Sequence, residues 1–85
     1  MPTIKLFANL RKIAGQKEFS ISGTTLNSAL NGLVQQHPAL ESAIFENGQI
    51  RLNIIITLNG YNTTDPNLSV TETDTIAIFP PIAGG

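Results

Sequence analysis

The chain of 85 residues contains no cysteine. That removes disulfides, thiolate metal sites and thiol nucleophiles together. It also means that any sulfur carried by the protein cannot ride on a side-chain persulfide. There is no tryptophan and a single histidine, His37, placed directly before Pro38. With no partners at metal-ligand or acid–base spacing, His37 reads as a surface or capping residue. Charge is scarce too: 13% of residues are charged, against roughly a quarter in ordinary domains. The five basic residues, Lys5, Arg11, Lys12, Lys17 and Arg51, form no run, and the net charge is −1. A nucleic-acid partner is therefore not expected. No apolar stretch approaches the roughly 20 residues of a membrane-spanning helix. The opening MPTIKLFANLRK lacks the apolar centre of a secretory signal. A cytoplasmic protein that engages neither membrane nor nucleic acid is the expectation. Nor is there a phosphate-cradling glycine loop, a nucleophile–base set or a metal constellation. The chain is thus expected to bind no cofactor or metal of its own and not to be catalytic alone.

What is present fits one domain, residues 1–85, with a modest core. TIKLFA (3–8) alternates, with Ile4 and Leu6 on one side and Lys5 and Phe7 on the other. EFSIS (18–22) alternates again through Phe19 and Ile21. The NLRKIAGQK between them reads as a hairpin connection with Leu10 and Ile13 turned inward. The period then changes. Leu26, Ala29, Leu30, Leu33 and Val34 form a helical stripe, preceded by Thr24 or Thr25 as cap and ended by His37-Pro38. Gly32 inside this helix costs about 1 kcal/mol relative to alanine, which points to a close packing contact. ALESAIFENG predicts a short helical turn and then an Asn47-Gly48 turn. RLNIIITLNG reads as the strongest strand, and Asn59-Gly60 as a hairpin turn. A polar edge strand follows, Leu68 and Val70 return to the core, and TIAIFPP is the last strand.

This order predicts an α+β fold: a ubiquitin-like β-grasp, a mixed sheet of about five strands with one main helix on one face. In that topology the first and last strands are parallel neighbours at the centre. Alternation puts Ile4, Leu6, Ile76 and Ile78 toward the helix. Thr3, Lys5, Phe7, Thr75, Ala77 and Phe79 fall on the open face. Each central strand thus ends its open face on a phenylalanine, and Phe7 and Phe79 are predicted to sit together as a partner-binding patch.

After Phe79 come Pro80 and Pro81, which lack amide donors and stop the sheet. They also favour an extended exit. Residues 80–85 are expected to form an outward tail. Ile82 and Ala83 give it small apolar grip. Gly84 and Gly85 have no side chain to obstruct entry into a narrow channel. The group delivered would be the Gly85 carboxylate, ionised at neutral pH because an α-carboxyl pKa is about 3.5. A carboxylate is a poor electrophile until activated as a mixed anhydride, for which this chain has no machinery.

FPPIAGG (79–85) resembles the C-terminal signature of the small subunit of molybdopterin synthase, in the MoaD–ThiS family of ubiquitin-like sulfur carriers. LFANLRKIAG (6–15) is similar to the same family's N-terminal segment. ITLNG (56–60) and TETDTIAIFPP (71–81) are similar to its later strands. The resemblance implies that an E1-like adenylating enzyme uses ATP to adenylate Gly85. A sulfur donor protein then converts the acyl-adenylate to a thiocarboxylate. The tail (Pro80, Pro81, Ile82, Ala83, Gly84) inserts into the synthase large subunit, where the thiocarboxylate gives its sulfur to a pterin precursor. The family's hydrophobic partner surface carries aromatics matching Phe7 and Phe79. Arg11 falls at its Leu-Arg position, as a partner contact or a solvated charge. NGYNTTDPN (59–67) is more polar than that subunit's usual segment. Molybdopterin synthesis leads. Thiamine thiazole or another sulfur product is the alternative within the group. A ubiquitin-like modifier joined to targets through Gly85, and a plain β-grasp binding module, stand outside it.

Overall fold

The computed structural model describes residues 1–81. In chain order the elements are β1 (Thr3–Leu6), α1 (Asn9–Ala14), β2 (Glu18–Ser20), α2 (Leu26–Gln36), a 3-10 turn (Pro38–Leu40), α3 (Glu41–Ile44), β3 (Phe45–Glu46), β4 (Gln49–Ile50), β5 (Ile55–Leu58), β6 (Tyr61–Asn62) and β7 (Thr75–Phe79). Five strands make one mixed sheet in the order β2-β1-β7-β5-β6, and β3 and β4 form a separate hairpin. β1 and β7 run parallel at the centre, with Ile4 opposite Ile76 and Leu6 opposite Ile78. β7 is antiparallel to β5 on its other side. This is the predicted β-grasp architecture.

The core follows from two periodicities. Alternate residues of the strands, Ile4, Leu6, Phe19, Ile56, Ile76 and Ile78, are buried. They share one cluster with the α2 stripe of Leu26, Ala29, Leu30, Leu33 and Val34. α2 begins where its cap dictates. The Thr25 side chain accepts from the Ser28 amide, and Ser28 Oγ accepts in return from the Thr25 amide, a reciprocal capping box. The helix ends at His37, whose ring meets Phe19 edge to face at 4.7 Å. Gly32 is small for a packing reason. A Cβ there would lie 2.8 Å from Cγ2 of buried Ile21.

Two expectations need correction. The β1–β2 connection is not a simple hairpin loop, because residues 9–14 form a helix. Leu10 and partly buried Ala14, four apart, face the core. Ile13 therefore rolls outward and is 41% exposed, not turned inward. RLNIIITLNG is also shorter as a strand than its composition suggests. Only Ile55–Leu58 pairs, after a turn at residues 52–53.

At one end of the sheet, Asn59 (φ 52°) and Gly60 (φ 89°) make the tight β5–β6 turn, the left-handed geometry that Asn-Gly favours. The Asn59 side chain also clips the turn before β7. Its Nδ2 donates to Asp74 Oδ1 at 2.8 Å, and its Oδ1 accepts from the Thr75 amide at 2.9 Å. Asp74 further accepts from the Thr71 amide at 2.8 Å. These donors, the Thr71 amide first and then Asn59, hold the Asp74 carboxyl below its ordinary pKa.

Candidate functional site

The opposite end of the sheet, where the chain leaves β7, gathers most of the residues singled out in the sequence. β1 ends at Leu6, and the Phe7 carbonyl accepts from the Leu10 amide at 3.2 Å. This four-residue turn puts Ala8 at φ 54°, ψ −132°, the geometry of the first central position of a type II′ turn, which glycine dominates. The turn starts α1 close against the end of β1. Arg11 is thereby folded back: its Nε donates to the Leu6 carbonyl at 2.8 Å. Its guanidinium carbon lies over the Phe7 ring, 5.1 Å from the centroid.

Phe7 and Phe79 meet at this corner, as strand parity predicts. Phe7 and Phe79 lie one step beyond the Leu6–Ile78 pair. Their rings stack with centroids 4.4 Å apart and 12° between planes. Both are half-buried. Such a pair contributes about 0.5–1.5 kcal/mol beyond its area, and an exposed cation–π contact about 0.5–1 kcal/mol. The corner is therefore ordered before any partner arrives. Ile55 extends it, since it pairs with Phe79 across β5–β7 and is 47% exposed. Alternation within RLNIIITLNG carried this signal, because Ile54 and Ile56 are the buried neighbours. The step from Arg11 to the Phe7 ring had no such signal, since it depends on the α1 geometry.

Beside the aromatic pair is a notch of about 160 Å³ lined by Lys5, Leu6, Phe7, Arg11, Lys17 and Glu18. Lys5 and Glu18 face each other across β1–β2, 3.9 Å apart and both well solvated, so the pair contributes little to stability. Pro80, half-buried, and Pro81, exposed, follow Phe79 at this corner. The remaining tail residues named in the sequence, Ile82, Ala83, Gly84 and Gly85, lie outside the described residues. Among the described residues, no group of three or more His, Cys, Asp or Glu side chains is placed to hold a metal. No helix among them is long and apolar enough to cross a membrane.

A mixed five-stranded sheet with parallel β1 and β7 at its centre and one long helix closing the core defines the chain as a ubiquitin-like β-grasp protein. Within that class the chain belongs to the ThiS family, whose match covers residues 4–85, a group of ubiquitin-like sulfur carriers and small protein modifiers. It is 35% identical over 85 residues to small archaeal modifier protein 1 of Haloferax volcanii, covering 95% of this chain and 97% of that one. It is 34% identical over 85 residues to the molybdopterin synthase sulfur carrier subunit of Arabidopsis thaliana, covering 96% of this chain and 80% of that one. The solution structure of small archaeal modifier protein 1 from Methanosarcina acetivorans superposes with a TM-score of 0.89 at 35% identity, covering 99% of this chain and 95% of that one.

Proposed function

We propose that the protein is a sulfur carrier for molybdopterin synthesis and that its working group is the carboxylate of Gly85. The observation that carries this reading is a family match running through residue 85 on a chain with no cysteine, which leaves the carboxyl end as the place for sulfur. The Gly85 carboxylate attacks the α-phosphorus of ATP on an E1-like adenylating enzyme, forming the acyl-adenylate and releasing pyrophosphate. A sulfur donor protein then supplies sulfur at the sulfide level, which attacks the acyl carbon and displaces AMP, giving the thiocarboxylate. In the synthase large subunit the thiocarboxylate sulfur bonds to the pterin precursor, and water then cleaves the acyl–sulfur bond, leaving the sulfur on the pterin and returning Gly85 as a carboxylate. This chain's part is recognition and delivery. Phe7, Phe79 and Arg11 form the face on which partners dock, Pro80 and Pro81 direct the tail, and Ile82, Ala83 and Gly84 insert with it into the partner. The partners meet in the cytoplasm.

The likeness to small archaeal modifier protein 1 favours a second reading from the same activated end. In it a lysine ε-amine of a target protein, in place of sulfur, displaces AMP and forms an isopeptide bond. An intact-mass measurement on protein isolated from its native cell separates the two. Exchange of one oxygen for sulfur supports the carrier. Adducts joined through Gly85 to lysines support the modifier. Unmodified protein that elicits no ATP–pyrophosphate exchange from the adenylating enzyme refutes both.

A further inference from the structure

The basic residues are few, but the fold does not scatter them. Lys5 lies on β1, Arg11 and Lys12 on α1, and Lys17 directly before β2, accompanied by one carboxylate, Glu18, the first residue of β2. Three of the four, Lys5, Arg11 and Lys17, line the notch beside Phe7. The fifth cation, Arg51, is engaged elsewhere, donating to the Ser42 carbonyl at 2.7 Å and lying 3.8 Å from Glu46. The other five acidic side chains, Glu41, Glu46, Asp65, Glu72 and Asp74, are all outside this segment. Asp74 is at the far end of β1 and β7, where its carbonyl accepts from the Thr3 amide. A chain with a net charge of −1 therefore has a cationic corner, and that corner is the one from which the tail leaves.

We propose that this corner is a two-part docking face, an apolar seat of Phe7, Phe79 and Ile55 bordered by Lys5, Arg11 and Lys17, and that it takes a protein partner whose tail-receiving surface is rimmed with Asp and Glu carboxylates. Charge complementarity selects that partner. Like charges across an interface are strongly disfavoured and opposite ones steer encounter, so a partner with a basic rim is rejected at this corner. Arg11 is fixed by the Leu6 carbonyl and the Phe7 ring, so its charge is positioned in advance and little ordering is lost on binding. A nucleic acid fits less well, because Glu18 lies within the cationic set and no basic track continues beyond it.

The inference rests on the proposed activation of Gly85, and the adenylating enzyme of the same cell is the probe. ATP–pyrophosphate exchange is measured as a function of carrier concentration for the full chain, for Lys5→Gln/Lys17→Gln and for Lys17→Glu. Melting temperatures confirm that the variants fold. Raising ionic strength from about 0.01 to 0.15 M shortens the Debye length from about 30 to 8 Å. The half-saturating concentration of the unaltered chain should then rise severalfold. Both variants should raise it about tenfold at low salt and lose most of the salt dependence, with maximal exchange unchanged. Exchange by the unaltered chain with salt-independent half-saturation, equal in the variants, would overturn the docking inference while leaving Gly85 activation standing. Absence of any exchange would overturn both. Tighter binding to a labelled single-stranded oligonucleotide than to the enzyme, at the same salt, would also overturn it.

Discussion

Ala8 offers the sharpest test of how the tail-exit corner is built. Its positive φ places a methyl group where the II′ turn favours none. Non-glycine residues in such regions carry roughly 1–3 kcal/mol of strain. Ala8→Gly removes that strain. Against this, glycine gives the unfolded chain more freedom, an opposing effect of about 0.4–1 kcal/mol. Ala8 is exposed and makes no core contact that the change would lose. The balance is a gain of about 1 kcal/mol, which for a domain of this size raises Tm by about 4–8 °C. Thermal melts by circular dichroism, with urea unfolding to show an unchanged m-value, provide the measurement. Ala8→Val should move Tm the other way, because a β-branched side chain tolerates positive φ worse than alanine. If Ala8→Gly lowers Tm, as glycine does at an ordinary loop position, the turn that folds Arg11 back onto Phe7 is not of this type, and the geometry of the corner is wrong.

Gly32→Ala sets two effects against each other. Helix propensity favours alanine by about 1 kcal/mol, whereas overpacking a tight site costs about 1–3 kcal/mol. With Ile21 Cγ2 at 2.8 Å from the added Cβ, the clash should win and the urea midpoint should fall. In an Ile21→Ala background the same change should become neutral or stabilising, and a penalty that persists would refute the contact. For Asp74, the folded pKa is depressed by the Thr71 and Asn59 hydrogen bonds. Its stabilisation is therefore present above the unfolded pKa of about 3.9 and is lost as pH falls through the lower folded value. Asp74→Asn should lower stability at neutral pH and flatten the acid limb of a urea-midpoint titration below about pH 4. Parallel curves for the two proteins would contradict this.

The sheet was legible because its strands obey a strict parity. Ile4, Leu6, Ile76 and Ile78 fixed the inner face, and the same count put Phe7 beside Phe79. The α2 stripe and its threonine cap were equally plain. α1 was not, since six residues hold too few apolar positions to separate a helical period from a loop. Leu10 and Ile13 are both apolar and three apart, yet only Leu10 is buried, because Ala14, not Ile13, completes the inward face. The β5 region misled by composition: β-branched residues favour a strand, but pairing needs a neighbour, and β7 reaches only to residue 55. Arg11 was identifiable by position but not by geometry, because its contact with Phe7 depends on the strained turn at Ala8.

The placement of β7 has a consequence for biosynthesis. It is the last strand of the described chain and yet it is bonded on both sides, to β1 and to β5. A chain emerging from the ribosome has β1 and β2 first, but their inner face cannot be completed until residues 75–79 are out. The slow, sequence-distant closure that such topologies require thus waits until residues 75–79 have been made. A product truncated before residue 75 leaves β1 and β5 with open edges, the unpaired-strand hazard of incomplete chains. A body able to present the tail is therefore one whose synthesis has passed through its central strand.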